Sequence, residues 1–372
     1  MWQSLYSKLE QRFKHEEYYP LYLVLLSVLS SVILYLPIYL QDPSNLFRYW
    51  DGPNYMYIAR TLYDIPSTHP FVSYNLTPAY FACHLPLYPL LIRLFSYLMG
   101  YQAAMLAVTL ISSGLASVLF YYLLKEMKIV RSPFWSAIIA LFLPVRWIIY
   151  HSVGATEPLF LALIFASMLC WNKEKYRWAI VLCGLASVTR IVGLLALFGY
   201  FCLILHQKKW RNLTYLPLGL LPILAVFSFY AWRFGDFFAY FSWNSKLLNP
   251  NPLFSMMAFS SNNASSHAEA YAIQYLAYGM GTLLLWRFPL LFWYSASFCV
   301  FNLFIFHEDL GRYYLPVAPF ALIVAYDQIL SSKAARLMLP FICYTVYNYS
   351  WPLLRINIMM TDPWLALLQA LK

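Results

Sequence analysis

The chain has 372 residues, 62% hydrophobic and only 11% charged, with a mean hydropathy of +0.59. A soluble domain is roughly a quarter charged, so this composition excludes an ordinary globular protein and fits an integral membrane protein. The net charge of +10 is what cytoplasmic loops of membrane proteins produce, and no nucleic-acid module is visible. Aromatic residues make up 20%, with Tyr far ahead of Trp; interface anchoring accounts for part of this, and stacking on a ligand such as a sugar ring could use the rest. Cys83, Cys170, Cys183, Cys202, Cys299 and Cys343 all lie in apolar stretches without a CxxC pair. They read as packed thiols, not as a disulfide frame or a metal knuckle.

The first apolar run, residues 21–40, has the roughly 20 residues that a spanning helix needs. It follows a mixed polar segment containing Glu10, Glu16 and Glu17, so it reads as a retained span and not a cleaved signal. Residues 41–100 form the first external loop. In it, Asp51-Gly52-Pro53 reads as a turn and helix start, with Asp51 as N-cap and Pro53 in the first turn. Tyr55, Ile58, Ala59 and Leu62 follow at i, i+3, i+4 and i+7, predicting an amphipathic helix on the outer surface. The stretch 85–99 is apolar but interrupted by Pro86 and Pro89 and carries Arg93, which predicts a helix lying in the interface. Further spans are expected at 103–124, 134–150, 157–171, 215–234, 272–286, 289–306, 314–330 and 337–353.

Residues 178–205 do not fit a single crossing. Their flanks, "NKEKYR" (172–177) and "HQKKWR" (206–211), are both basic, so both belong on the cytoplasmic side. The middle, "SVTRIVG" (187–193), holds an arginine and a glycine. Two short helices forming a hairpin resolve the conflict and carry Arg190 toward the outer half of the membrane. Irregular backbone at that depth is tolerated only around a cavity. With this hairpin the lysines gather on the cytoplasmic side, while more than half of the arginines fall outside. An arginine kept there suits bidentate contact with phosphate or carboxylate, with snorkelling to headgroups as the alternative.

The outer loops then collect the polar groups: "HSVGATEPLF" (151–160), "GDFFAYFSWNSK" (235–246) and "HEDLGRYYLPVAPF" (307–320). Intramembrane acids and arginines converging on one outer cavity form a functional-site hypothesis. Arg190 and Arg312 are the candidates for an anionic group; the alternative for Arg312 is a local pair with Glu308 or Asp309. Glu157 opens a helix, where dipole complementarity is the simpler role and acceptor binding the sharper one. His307, beside Glu308, leads the external histidines; the histidine spacing carries no metal signature. Trp50, Tyr55 and Trp243 suit anchoring or sugar stacking. Asp236 reads as a turn residue after Gly235.

These blocks resemble the PIG-V type of GPI mannosyltransferase and its bacterial relatives, within the GT-C superfamily of membrane glycosyltransferases. The likeness rests on "WDGPNYMYIA" (50–59), "HLPLYPLLIRL" (84–94), "TEPLFLAL" (156–163), "GLASVTRIVGLL" (184–195), "GDFFAYFSW" (235–243) and "GRYYLPVAP" (311–319), in the family's order and across most of the chain. His84 stands where an aromatic is usual, and Phe237-Phe238 where a proline follows Gly-Asp. The resemblance implies an all-α, polytopic GT-C bundle of about 10–11 membrane helices in one domain, residues 1–372, with an amphipathic first external loop and the broken-helix hairpin. It implies a sugar donor on a polyprenyl or dolichyl phosphate, a lipid or glycolipid acceptor, inversion at the anomeric carbon, and Asp51 as the catalytic base. The superfamily admits a divalent metal, but one acid makes no site alone. The membrane would be a bacterial inner membrane or the endoplasmic reticulum, with the site on the non-cytoplasmic side. Other readings are a GT-C enzyme moving a pentose or amino sugar, and a lipid flippase or transporter; no internal repeat of the transporter kind is evident.

Overall fold

The computed structural model describes residues 16–49, 51–261 and 265–372. Among them the chain is helical, and the β pairing amounts to two isolated bridges, Tyr49 with Ile358 and Leu248 with Ile305. An apolar surrounding favours this, because a helix satisfies its backbone groups within the segment. Three helical stretches are long and apolar enough to cross a membrane: Glu16–Tyr39, Tyr101–Met127 and Trp210–Phe234.

The chain starts with α1 (Tyr19–Tyr39), whose Leu21, Leu25, Leu29 and Leu36 are exposed while Ser27, Ser30 and Ser31 are buried. That inversion suits a helix with lipid outside and small residues at the helix contact. Next come α2 (Asp51–Thr61), α3 (Leu87–Met99) and α4 (Tyr101–Met127). The amphipathic surface helix expected at 51–62 is instead enclosed, with every residue from Gly52 to Ala59 buried. Its tyrosines make the difference: they bury their rings on both sides, Tyr55 against His84 and Tyr88, and Tyr57 against Phe71 and Phe81. Leu62 and Tyr63, both at positive φ, end α2. Arg93, on the expected interfacial segment, reaches back and donates from Nη1 to the carbonyls of Ala59 (3.0 Å) and Arg60 (2.9 Å), closing the C-terminus of α2.

The expected spans at 134–150 and 314–330 are broken. The first is reduced to Pro133–Ile139 and Trp147–Tyr150, the second to Leu310–Tyr314, the π-helical Pro319–Val324 and Asp327–Leu330. Pro144, Pro316 and Pro319 lack the N–H that an uninterrupted helix requires. The freed groups are covered by protein: residues 314–321 are all buried, and the Tyr294 hydroxyl donates to the Pro316 carbonyl at 2.9 Å.

Then follow α5 (Glu157–Asn172), α6 (Tyr176–Ser187), α7 (Gly193–Gln207) and α8 (Leu216–Phe234). The pair α6 and α7 is the expected hairpin. At its base Lys209 Nζ donates to the Tyr176 hydroxyl (3.1 Å), and halfway up Ser167 joins the Ala179 carbonyl to Tyr200 at 2.7 Å each. At its tip a Cβ on Gly193 would lie 2.5 Å from the Ser187 nitrogen, so only glycine permits so tight a return. The chain ends with α9 (Ser265–Leu284), α10 (Pro289–Asn302), α11 (Lys333–Ile356) and α12 (Thr361–Ala370), the last packed on α2.

The bundle has two chemically different ends. Lys125 with Glu16, Lys173 with Glu126, and Lys209 with Tyr176 mark one. The start of α2, the start of α5, the tip of the α6–α7 hairpin and the Leu310–Tyr314 segment meet at the other.

Candidate active site

Two glycines bring the first two of these segments together. A Cβ on Gly154 would lie 2.3 Å from Met105 Sδ and 2.9 Å from Gly52 Cα. The backbone following Asp51 therefore touches the backbone preceding Glu157, and both carboxylates come within reach of one cation.

That cation is Arg312. Its Nη2 donates to Asp51 Oδ2 at 2.5 Å and its Nε to Glu157 Oε1 at 2.7 Å. Arg190, from the hairpin tip, donates from Nη1 to the same Glu157 Oε1 at 2.5 Å and to Thr156 Oγ1 at 3.3 Å. The result is a chain of alternating charge, Asp51–Arg312–Glu157–Arg190, drawn from four segments far apart in sequence. It is graded in access: the side chain of Glu157 is 2% exposed, Arg190 14%, Asp51 17% and Arg312 22%. Glu157 is thus the enclosed member, and Asp51 and Arg312 are the more exposed ones. The Nε of Arg190 is buried without a hydrogen-bond partner among the described residues. An unused guanidinium donor at a polar site is a place for an anionic oxygen.

An aromatic and acidic flank steadies Arg312. Its guanidinium lies 4.7 Å from the Tyr150 ring centroid, and the Tyr150 hydroxyl donates to Asp309 Oδ2 at 3.1 Å. Asp309 Oδ1 is in turn paired with Arg146 Nε at 3.0 Å. Burial alone would raise the Asp51 carboxyl, but Arg312, helped by Arg190 and by His84 when protonated, outweighs it and holds Asp51 below the usual carboxylate range. Asp51 is therefore ionised at neutral pH, as a proton acceptor must be.

Several expectations change in detail. Asp51 is the first helical residue and its carboxylate engages Arg312, so it is not an N-cap. Arg312 does not pair with Glu308 or Asp309; Asp309 belongs to Arg146. Glu157 binds two guanidiniums, which is more than dipole complementarity. His307 lies outside the charged chain: its Nδ1 accepts from the Asp309 amide at 2.9 Å, and burial lowers its pKa. Tyr55 is 6% exposed and packed on His84 and Tyr88, so its ring is structural wall and not a free stacking face. Trp50 lies outside the described residues. Asp236 is a turn residue, accepting the Phe238 amide on Oδ1 at 2.8 Å. Tyr150 and Arg146 were not singled out from the sequence, and Asp309 only as a local partner for Arg312; the signal was an acid and an aromatic at loop edges, which this chain has in many places.

Among the described residues no three His, Cys, Asp or Glu side chains gather where a cation could sit. Both carboxylates of the site are bound by arginine. A separate apolar pocket is lined by Phe120, Trp147, Phe165, Leu315 and neighbours, with Ser117 among them, and by none of the four charged residues. No family model matches this chain, and no curated protein matches it significantly.

Proposed function

We propose that this protein is an integral membrane glycosyltransferase of the GT-C type, an inverting hexosyltransferase, and a mannosyltransferase on its resemblance to the PIG-V group. It takes its sugar from a polyprenyl or dolichyl phosphate and passes it to a lipid or glycolipid acceptor at the non-cytoplasmic face. The observation that carries this reading is the convergence of Asp51 with Arg312 and Arg190 at the end of the bundle opposite Lys125, Lys173 and Lys209. Lysine-rich loops stay cytoplasmic, which supports an external site.

The chemistry follows from the charges. The acceptor hydroxyl gives its proton to Asp51 while its oxygen attacks the anomeric carbon from the face opposite the phosphate. The bond from that carbon to the phosphate oxygen breaks, and the lipid phosphate leaves with the electron pair. Arg312 and Arg190 stabilise the charge that develops there, in surroundings that exclude bulk water. A base of this kind contributes ~10²–10⁴-fold, and the arginines act on the leaving group. A site at the edge of an apolar bundle lets the donor keep its tail in lipid while its head reaches Asp51.

The test is an assay of the detergent-purified protein against a panel of lipid-linked sugars, with products identified by mass spectrometry. Sugar transfer from one donor of the panel is expected, and Asp51→Asn should abolish it at unchanged expression. Transfer at a wild-type rate by that variant, or no transfer from any donor, overturns the proposal; a flippase or transporter gives the second result.

A further inference from the structure

His84 lies close enough to Asp51 and Arg312 to feel both charges. One turn along α2 from Asp51, Tyr55 packs its ring against His84, with centroids 5.1 Å apart and planes at 82°. Residues four apart share a helix face, so His84 is on the side of α2 that Asp51 occupies. Tyr80 meets the other side of His84 at 5.4 Å, and Trp243 meets Tyr80 at 5.3 Å. Lys246 Nζ stands 4.5 Å from the Trp243 ring centroid. Tyr80 and Trp243 are half-buried and keep open surface, whereas His84 is 7% exposed.

His84 is held firmly. Its carbonyl accepts from the hydroxyls of Tyr63 at 2.5 Å and Tyr230 at 3.4 Å, so the backbone under the imidazole is fixed from two helix ends. Yet its Nδ1 is buried and has no hydrogen-bond partner among the described residues. A buried polar atom without a partner is costly and calls for an explanation.

We infer that His84 is a positioning residue for the acceptor: its free imidazole nitrogen accepts a hydrogen bond from a second hydroxyl of a sugar- or cyclitol-type group lying against Tyr80 and Trp243, which aims the reacting hydroxyl at Asp51. This rests on the glycosyltransferase reading. It divides the site into an arginine side for the donor phosphate and an aromatic side for the acceptor, with Lys246 at the far edge of that side over Trp243. Burial lowers the imidazole pKa to about 4, so at neutral pH the ring is uncharged and can accept such a bond. Aromatic faces suit the apolar faces of sugar rings, and the polar atom supplies orientation.

The experiment uses labelled polyprenyl-phosphate mannose as donor, with octyl α-mannoside and its monodeoxy forms as acceptors. For the wild type, one deoxy acceptor should lose about tenfold in kcat/KM, the loss of one hydrogen bond. His84→Phe should lose the same factor on the full mannoside and nothing more on that deoxy form, with donor KM unchanged. His84→Asn, which keeps an acceptor atom near Nδ1, should recover most of the loss. Should the phenylalanine variant not purify, His84→Leu against His84→Asn makes the same comparison. The inference is overturned if the deoxy and mutant losses multiply, if donor and acceptor KM move together, if asparagine rescues nothing, or if donor is consumed but no octyl mannoside is ever glycosylated. A wild type that leaves the donor intact instead overturns the glycosyltransferase reading itself.

Discussion

Asp51 and Glu157 are both carboxylates on one arginine, but they do different work. Glu157 holds two guanidiniums in an enclosed position, and taking it away leaves both without their shared partner. Loss of one member of a buried pair costs about 3–5 kcal/mol, so Glu157→Gln should lower the melting temperature in detergent by several degrees, measured by thermal unfolding. Asp51 is bound to one arginine only among the described residues. On the proposed function, an incoming phosphate would compete with it for Arg312 and repel it. Asp51→Asn should therefore bind polyprenyl monophosphate roughly tenfold tighter while transferring no sugar, because Glu157 still fixes Arg312. Binding titration with C55 monophosphate checks this; weaker binding would mean that Asp51 chiefly positions the arginine. Arg190→Gln should weaken the same binding, since its unpaired Nε donor is lost.

His84 gives a residue-scale pH signature. Its imidazole faces Tyr55, Tyr80, Asp51 and Arg312, and burial brings its pKa down to about 4 from the unperturbed 6.5. Between these values the unfolded chain binds a proton that the folded chain refuses. Stability from this group is complete above about pH 6.5 and falls as pH drops toward 4, by at most about 1.4 kcal/mol per unit. Melting temperatures between pH 7 and 4.5 should fall less steeply for His84→Asn than for the wild type; identical slopes would remove His84 as the cause.

At the scale of elements, close backbone approach is what assembles the site. Gly154 lies so near Gly52 that a methyl group must move one backbone from the other; Met105 can swing aside, but the Gly52 Cα cannot. Gly154→Ala should cost about 1–3 kcal/mol and remove activity by separating Asp51 from Arg312. Thermal unfolding and transfer assays on the purified variant check both parts. The hairpin and the two broken spans make the same point differently. Of their irregular stretches, 315–318 is wholly buried, while 188–192 is buried at Val188 and Thr189 and half-buried beyond. Arg190 lies within the second of these and Arg312 just before the first.

For the whole molecule, separation of charge along the bundle is the organising feature. Lys125 and Lys173 mark one end, and the alternating Asp51–Arg312–Glu157–Arg190 chain occupies the other. Lys175→Cys and Asp236→Cys should react with a membrane-impermeant maleimide from opposite sides of sealed vesicles, Asp236→Cys from the non-cytoplasmic one. Labelling from the same side would undo both the hairpin topology and the external site.

Sequence alone determined the apolar helical character, most helix positions and the hairpin, because these depend on local composition and on where lysine can reside. It also marked Asp51, Arg190, Arg312 and Glu157, since charges in apolar chains are few. Tertiary structure decided who pairs with whom. Arg312 has acids three and four residues away in its own loop, yet it binds acids 261 and 155 residues away. Proximity along the chain has no bearing on that choice; the Gly52–Gly154 contact and the hairpin tip, both products of packing, set the distances that make one pairing stronger than the other.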